Sequence, residues 1–178
     1  MRRIIGIIII MTTCSIIAYG QRLIPHQFTL EAACNTYNYH SSIGGKITLG
    51  QYRYNGEWNV SLGYNYEDYT QHSIGCHSTT LAAGYKFFLL HNYKKSLILS
   101  AGGYGVIGYE YIVPPQTEGI VLTSSSAFIY GVAPIVSFDF FFHRYMAAGF
   151  YFSPVLAFGS SVGVFRPETG LSVKICLN

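Results

Sequence analysis

His72, Ser73, Cys76 and His77 form the densest group of chemically capable side chains in this sequence. Imidazole nitrogens and a thiolate are metal donors. A serine beside a histidine, with a carboxylate such as Glu110, is the raw material of a nucleophilic hydrolase. The spacing completes neither chemistry. A closed zinc site needs a further close donor pair, and none accompanies these three donors. The metalloprotease and nucleophile-elbow motifs are absent. The group reads as exposed polar residues of a loop, and Glu110 as an unrelated polar residue near the same rim. Accordingly we assign no catalytic, cofactor-binding or metal-binding residue from the sequence.

Gly103-Tyr104-Gly105-Val106-Ile107-Gly108 spells a dinucleotide fingerprint. That motif works only where it leaves a strand and opens a helix whose N-terminus holds the pyrophosphate. Here it runs on into Tyr109-Glu110-Tyr111 with no helix, so the glycines are read as close-packing positions inside a strand. Asn59-Val60-Ser61 is formally a glycosylation sequon, but it lies within the most regular strand of the chain.

What must position any chemistry is a set of strands. Trp58, Val60, Leu62, Tyr64 and Tyr66 alternate with Asn59, Ser61, Gly63, Asn65 and Glu67. Period-two alternation gives one apolar and one polar face, and this run of ~10 residues matches a tilted membrane-crossing strand. Asn55-Gly56 before it suggests a type I′ hairpin turn, with both residues at positive φ. Seven further runs follow the same rule. They begin at Phe28, at about residue 45, at Thr80, Leu97, Phe128, Met146 and Leu171. Two irregularities each call for a bulge. Ile47 and Leu49 differ in parity from Tyr52 and Tyr54, which places one near Gly50, and Pro134 interrupts the sixth strand.

The connections and charges agree. Short turns follow strands two, four and six (55–56, 91–95, 143–144), and longer loops follow five and seven (114–119, 159–167). Aromatics gather near strand ends. Tyr37, Tyr39, Tyr64, Tyr66, Tyr109 and Tyr111 form one proposed girdle, and Trp58, Phe87, Phe88, Phe141, Phe142 and Tyr145 the other. Glu31, Glu67, Lys86 and Lys174 all fall on polar faces. Arg53 does not, but it lies beside a turn. If the first and eighth strands meet, Glu31 and Lys174 share the interior at that seam. The expected fold is therefore all-β: a closed antiparallel up-and-down barrel of about eight strands, of outer-membrane type. A soluble exported sandwich or lipocalin-like barrel would show the same alternation with its apolar face inward.

Composition and termini narrow the setting. Residues 1–20 read as a signal peptide: Arg2 and Arg3, an apolar core from Ile4 to Met11, then Ala18-Tyr19-Gly20 before Gln21. Residues 21–178 then make one domain. Without Arg2 and Arg3, nine basic residues face eight acidic ones, so the mature chain is near +1 and has no footprint for nucleic acid. Charged residues are 11% of the chain, against ~25% in typical soluble domains. Cys34, Cys76 and Cys176 lack a disulfide framework and read as small apolar side chains.

Gln21-Arg22-Leu23-Ile24-Pro25, followed by the first alternating strand, resembles the mature start of the TraO-type conjugative transposon proteins of Bacteroidetes. The resemblance implies a structural, non-catalytic outer-membrane part of a conjugation apparatus. It implies as partners outer-membrane lipid and other envelope proteins of that apparatus. No family site residue carries over. One departure is the terminal Cys176-Leu177-Asn178, where barrel proteins often end on an aromatic. Rival readings are a generic small barrel binding surface ligands through its loops and a lipid-modifying outer-membrane enzyme.

Overall fold

The computed structural model describes residues 24–37, 42–69, 74–92, 94–113, 126–161 and 163–177. Eight strands run in chain order: β1 (Phe28–Tyr37), β2 (Ser42–Arg53), β3 (Gly56–Tyr69), β4 (Ile74–His91), β5 (Leu97–Val113), β6 (Ser126–His143), β7 (Met146–Phe158) and β8 (Phe165–Leu177). Each is antiparallel to the next, and β1 pairs with β8 to close the barrel. The signal-peptide reading, Gln21-Arg22-Leu23, Tyr39, His72, Ser73 and the whole loop after β5 (114–125) lie outside the described residues.

The strands alternate as the side-chain pattern requires. On β3, Trp58, Val60, Leu62 and Tyr64 are half-exposed or more and face outward, while Asn59, Ser61, Asn65 and Glu67 are buried in the lumen. The same inversion recurs around the barrel. Ile43 on β2, Phe128 on β6 and Leu171 on β8 are all exposed, whereas Lys86, Glu110 and Lys174 are buried. Polar residues thus line the inside and apolar residues the outside, the reverse of a soluble barrel.

Closure puts Glu31 directly opposite Lys174 across the β1–β8 seam, with Lys174 Nζ 3.5 Å from Glu31 Oε2. This is the pairing expected from the sequence.

Several expectations need correction. No bulge occurs at Gly50. The registers of β2 with β1 and β3 run through it unbroken, and Tyr52 simply points inward while Ile47 and Leu49 point outward. Tyr54 belongs to the turn. Gly50 stays small because a Cβ there would sit 2.5 Å from Glu57 Oε1 and 2.8 Å from Asn59 Oδ1. The β2–β3 turn is Tyr54–Asn55, closed by the Arg53↔Gly56 pair, and neither residue has positive φ, so the type I′ assignment fails. Gly56 is instead a close-approach glycine of β3, where a Cβ would strike the Lys86 carbonyl and the Tyr85 ring.

Pro134 produces no bulge either. The β6–β7 register is the same on both sides of it, and there Pro134 stands opposite Pro154, which pairs in turn with Pro167. Two residues without N–H groups facing each other forfeit a ladder rung without leaving a donor stranded. Ser153 Oγ donates to the Pro134 carbonyl at 2.9 Å. Register shifts fall at Phe88/Leu90 and Phe141/His143, close to short turns. In the girdles, Tyr37 and Phe141 prove to be lumenal and buried, and Phe88 and Tyr145 pack against the lumen's apolar end.

Candidate functional site: the charged lumen

The lumen is filled by side chains in layers. At the short-turn end Tyr52, Ile98, Phe141, Ala147 and Cys176 form an apolar plug. Above it lies the first charged cluster. Lys174 Nζ is 3.0 Å from Asp139 Oδ2 and 3.1 Å from Glu57 Oε2. Lys86 Nζ is 3.3 Å from Glu57 Oε2. Thr29 Oγ1 donates to the other Glu57 oxygen at 2.6 Å. Three carboxylates therefore share two ammonium groups, all nine-tenths buried or nearly so. Charges so deep are tolerable only when each has partners and further hydrogen bonds.

A cavity of about 20 Å³, room for about one water, separates this cluster from the next. Tyr104, Tyr151, Lys46 and Ser137 line it. Beyond, Glu168 accepts from Tyr151 Oη at 2.7 Å and Asn35 Nδ2 at 2.8 Å, and pairs with Lys46 at 2.5 Å. Lys46 also lies 4.7 Å over the Tyr151 ring. At the loop end Arg166 Nη1 meets Glu110 at 2.5 Å, with Glu67 at 3.8 Å. Arg166 Nη2 donates to Ser160 Oγ at 2.6 Å, and Ser160 Oγ donates to Glu110 Oε2 at 3.0 Å. The β7–β8 connection is thereby fastened to the lumen.

Of the residues weighed from the sequence, Cys76 and His77 end on opposite faces of β4. Cys76 is buried in the lumen. His77 faces outward, its Nδ1 2.6 Å from Tyr64 Oη. Adjacent strand residues cannot ligate one ion from two sides of a sheet. Glu110 is not a rim residue but a fully buried ion-pair partner. Gly103 to Gly108 lie within β5, and Asn59 and Ser61 are lumenal. Cys34 is exposed on the outer face, unlike buried Cys76 and Cys176, and all three are free thiols.

Sequence reasoning missed Glu57, Asp139, Glu168, Lys46 and Arg166. Parity beside Trp58 and Phe138 would have placed Glu57 and Asp139 inside. Arg166 had no such signal. The run from Gly159 to Pro167 reads as a loop, yet β8 begins at Phe165 and Arg166 points inward.

A comparison with protein families matches residues 18–177 to the family described as Conjugative transposon protein TraO. The chain belongs to the TraO family. A comparison with curated proteins gives no match. Among solved structures, this TraO-family barrel is similar to the N-terminal β-barrel domain of Pseudomonas aeruginosa OprF. That likeness has TM-score 0.56 and 15% identity and covers 86% of this chain and 98% of that one. It is also similar to Neisserial surface protein A, with TM-score 0.54 and 12% identity, covering 85% and 96%. These likenesses establish the fold.

Proposed function

We propose that this TraO-family barrel sits in the outer membrane as a structural part of the conjugative transfer apparatus. The observation that carries the membrane placement is the inverted burial: exposed Leu62, Ile107, Val132 and Leu171 outside, buried Lys174, Glu57 and Glu110 inside. In water such an outer face would be a continuous apolar patch far larger than soluble monomers tolerate. In a bilayer it needs no cover. Membership of the conjugative transposon family supports the transfer role.

A structural rather than catalytic part fits the lumen. Its acids are engaged by cations and hydroxyls, and Glu110, toward the loop end, is held by Arg166 and Ser160. Its partners are then outer-membrane lipid and other envelope proteins of the apparatus. Direct contact with DNA is not expected. Among the described residues of the loop half, Lys46 and Arg166 both turn inward and are spent on carboxylates.

Two experiments test this. Deleting the gene in a donor strain should abolish or sharply reduce conjugative transfer, and undiminished transfer would sink the role. Leu62→Lys should cost ~2–4 kcal/mol of stability in lipid, the expense of a cation facing acyl chains. A neutral result would remove the bilayer from the outer face.

A further inference from the structure

The short-turn rim carries a charge pattern that the lumen does not use. Arg53 and His26 stand at the β2–β3 turn and the segment before β1, Lys94 and Lys95 at the β4–β5 turn, and Arg144 at the β6–β7 turn. Among the described residues no acidic side chain points outward at this end. Glu31, Glu57 and Asp139 are turned into the lumen, and Asp68 lies at the opposite end of β3. The cations are spread around the circumference rather than gathered on one side. That distribution suits a plane of anionic headgroups better than a single docked protein.

One sector of the rim is built more specifically. Ile47, Leu49, Gln51 and Arg53 share the outer face of β2. Gln51 stands in register with Phe28 on one side and Trp58 on the other. Phe28, Leu49, Trp58 and Val60 wall an outer depression of about 570 Å³, whose floor is kept low by Ala83 and the Gly50 and Gly84 backbone. Arg53 lies one step nearer the turn, and its partner across the strands is Gly56, which has no side chain to screen it. Arg53 Nη1 is 2.8 Å from His26 Nδ1. A guanidinium can only donate, so His26 accepts through Nδ1 and keeps its Nε2–H available as a donor. Two donor groups, one of them charged, therefore sit at the open end of an apolar trough.

We propose that this sector holds an anionic phospholipid of the leaflet on the short-turn side, its phosphate on Arg53 and His26 and an acyl chain in the trough. The occupant follows from the combination. A free phosphate has no use for the apolar walls, and a lipid without net charge has less use for the Arg53 cation. The inference rests on the bilayer placement proposed above.

The test uses the full barrel, reconstituted in nanodiscs of phosphatidylcholine containing phosphatidylglycerol and then examined by native mass spectrometry. Phosphatidylglycerol should remain bound about tenfold or more in preference to phosphatidylcholine. Arg53→Gln should cut that preference by about fivefold, the loss expected for one cation at an anionic surface. Ala83→Leu, which fills the trough and leaves every charge in place, should also lower retention. Equal retention of the two lipids, an unchanged preference in Arg53→Gln, or complete displacement by inorganic phosphate would each overturn the lipid site. Each would do so with the barrel still embedded, so the membrane reading would survive. A barrel that refuses to enter nanodiscs would overturn both.

Discussion

The two charged clusters of the lumen have similar contents and opposite boundaries. Near the short turns, Lys86 and Lys174 are shared by Glu31, Glu57 and Asp139, and the apolar layer around Tyr52 and Phe141 lies beneath them. Toward the loops, Lys46 and Arg166 serve Glu67, Glu110 and Glu168, but part of the bonding comes from Ser160 and Ser161 of a connection. The first cluster joins strand to strand. The second joins strands to a loop. An ion network sealed on the turn side can only hold the cylinder's shape, whereas one open to a loop also sets how that loop is presented outside.

Four single substitutions and one double variant would sharpen or break this contrast. Lys174→Met should have the largest effect, ~3–5 kcal/mol less stable, because it leaves three buried carboxylates to a single ammonium group. Urea unfolding in lipid would show it, and adding Glu57→Gln should recover part of the loss. Glu110→Gln at the loop end should cost less, ~1–3 kcal/mol, since an amide oxygen still accepts from Ser160. Its signature should be faster proteolytic nicking of residues 159–164 in an otherwise intact barrel. If it unfolds the barrel as readily as Lys174→Met, the two clusters do not differ in kind. Tyr151→Phe should cost about 1 kcal/mol, because Glu168 keeps Asn35 and Lys46. Ser160→Ala should barely move the unfolding midpoint and still raise nicking of the same connection. Equal resistance to protease would show that Ser160 does not fasten it.

The strands were legible in the sequence because a half-polar environment imposes a period of two, and period two survives without any partner in view. Glu31 opposite Lys174 was legible for a related reason. Once parity fixes both side chains inward and closure joins the first and last strands, few registers remain. The misplaced aromatics share one cause. Tyr52, Tyr37 and Phe141 are aromatics that the apolar stripe would place outside, yet they follow the parity of their strands and fill the lumen's ends. Strand parity outranked hydrophobicity at those points because a narrow cylinder needs apolar filling of its own. Pro134 suggested a defect while its neighbour across the sheet was unknown. Opposite Pro154 it needs no bulge.

The linear chain settled which side chains share a face, because that follows from backbone geometry alone. It also settled that Glu31, Glu67, Lys86 and Lys174 lie opposite the greasy stripe, with Arg53 on the stripe's own face beside a turn. Only closure of the cylinder decided which charges meet, since Lys174 reaches Glu57 across 117 positions and Arg166 reaches Glu110 from a stretch that looked like loop. Local sequence sets the direction of each residue, but a pairing between distant strands depends on stagger, and stagger is a property of the whole sheet.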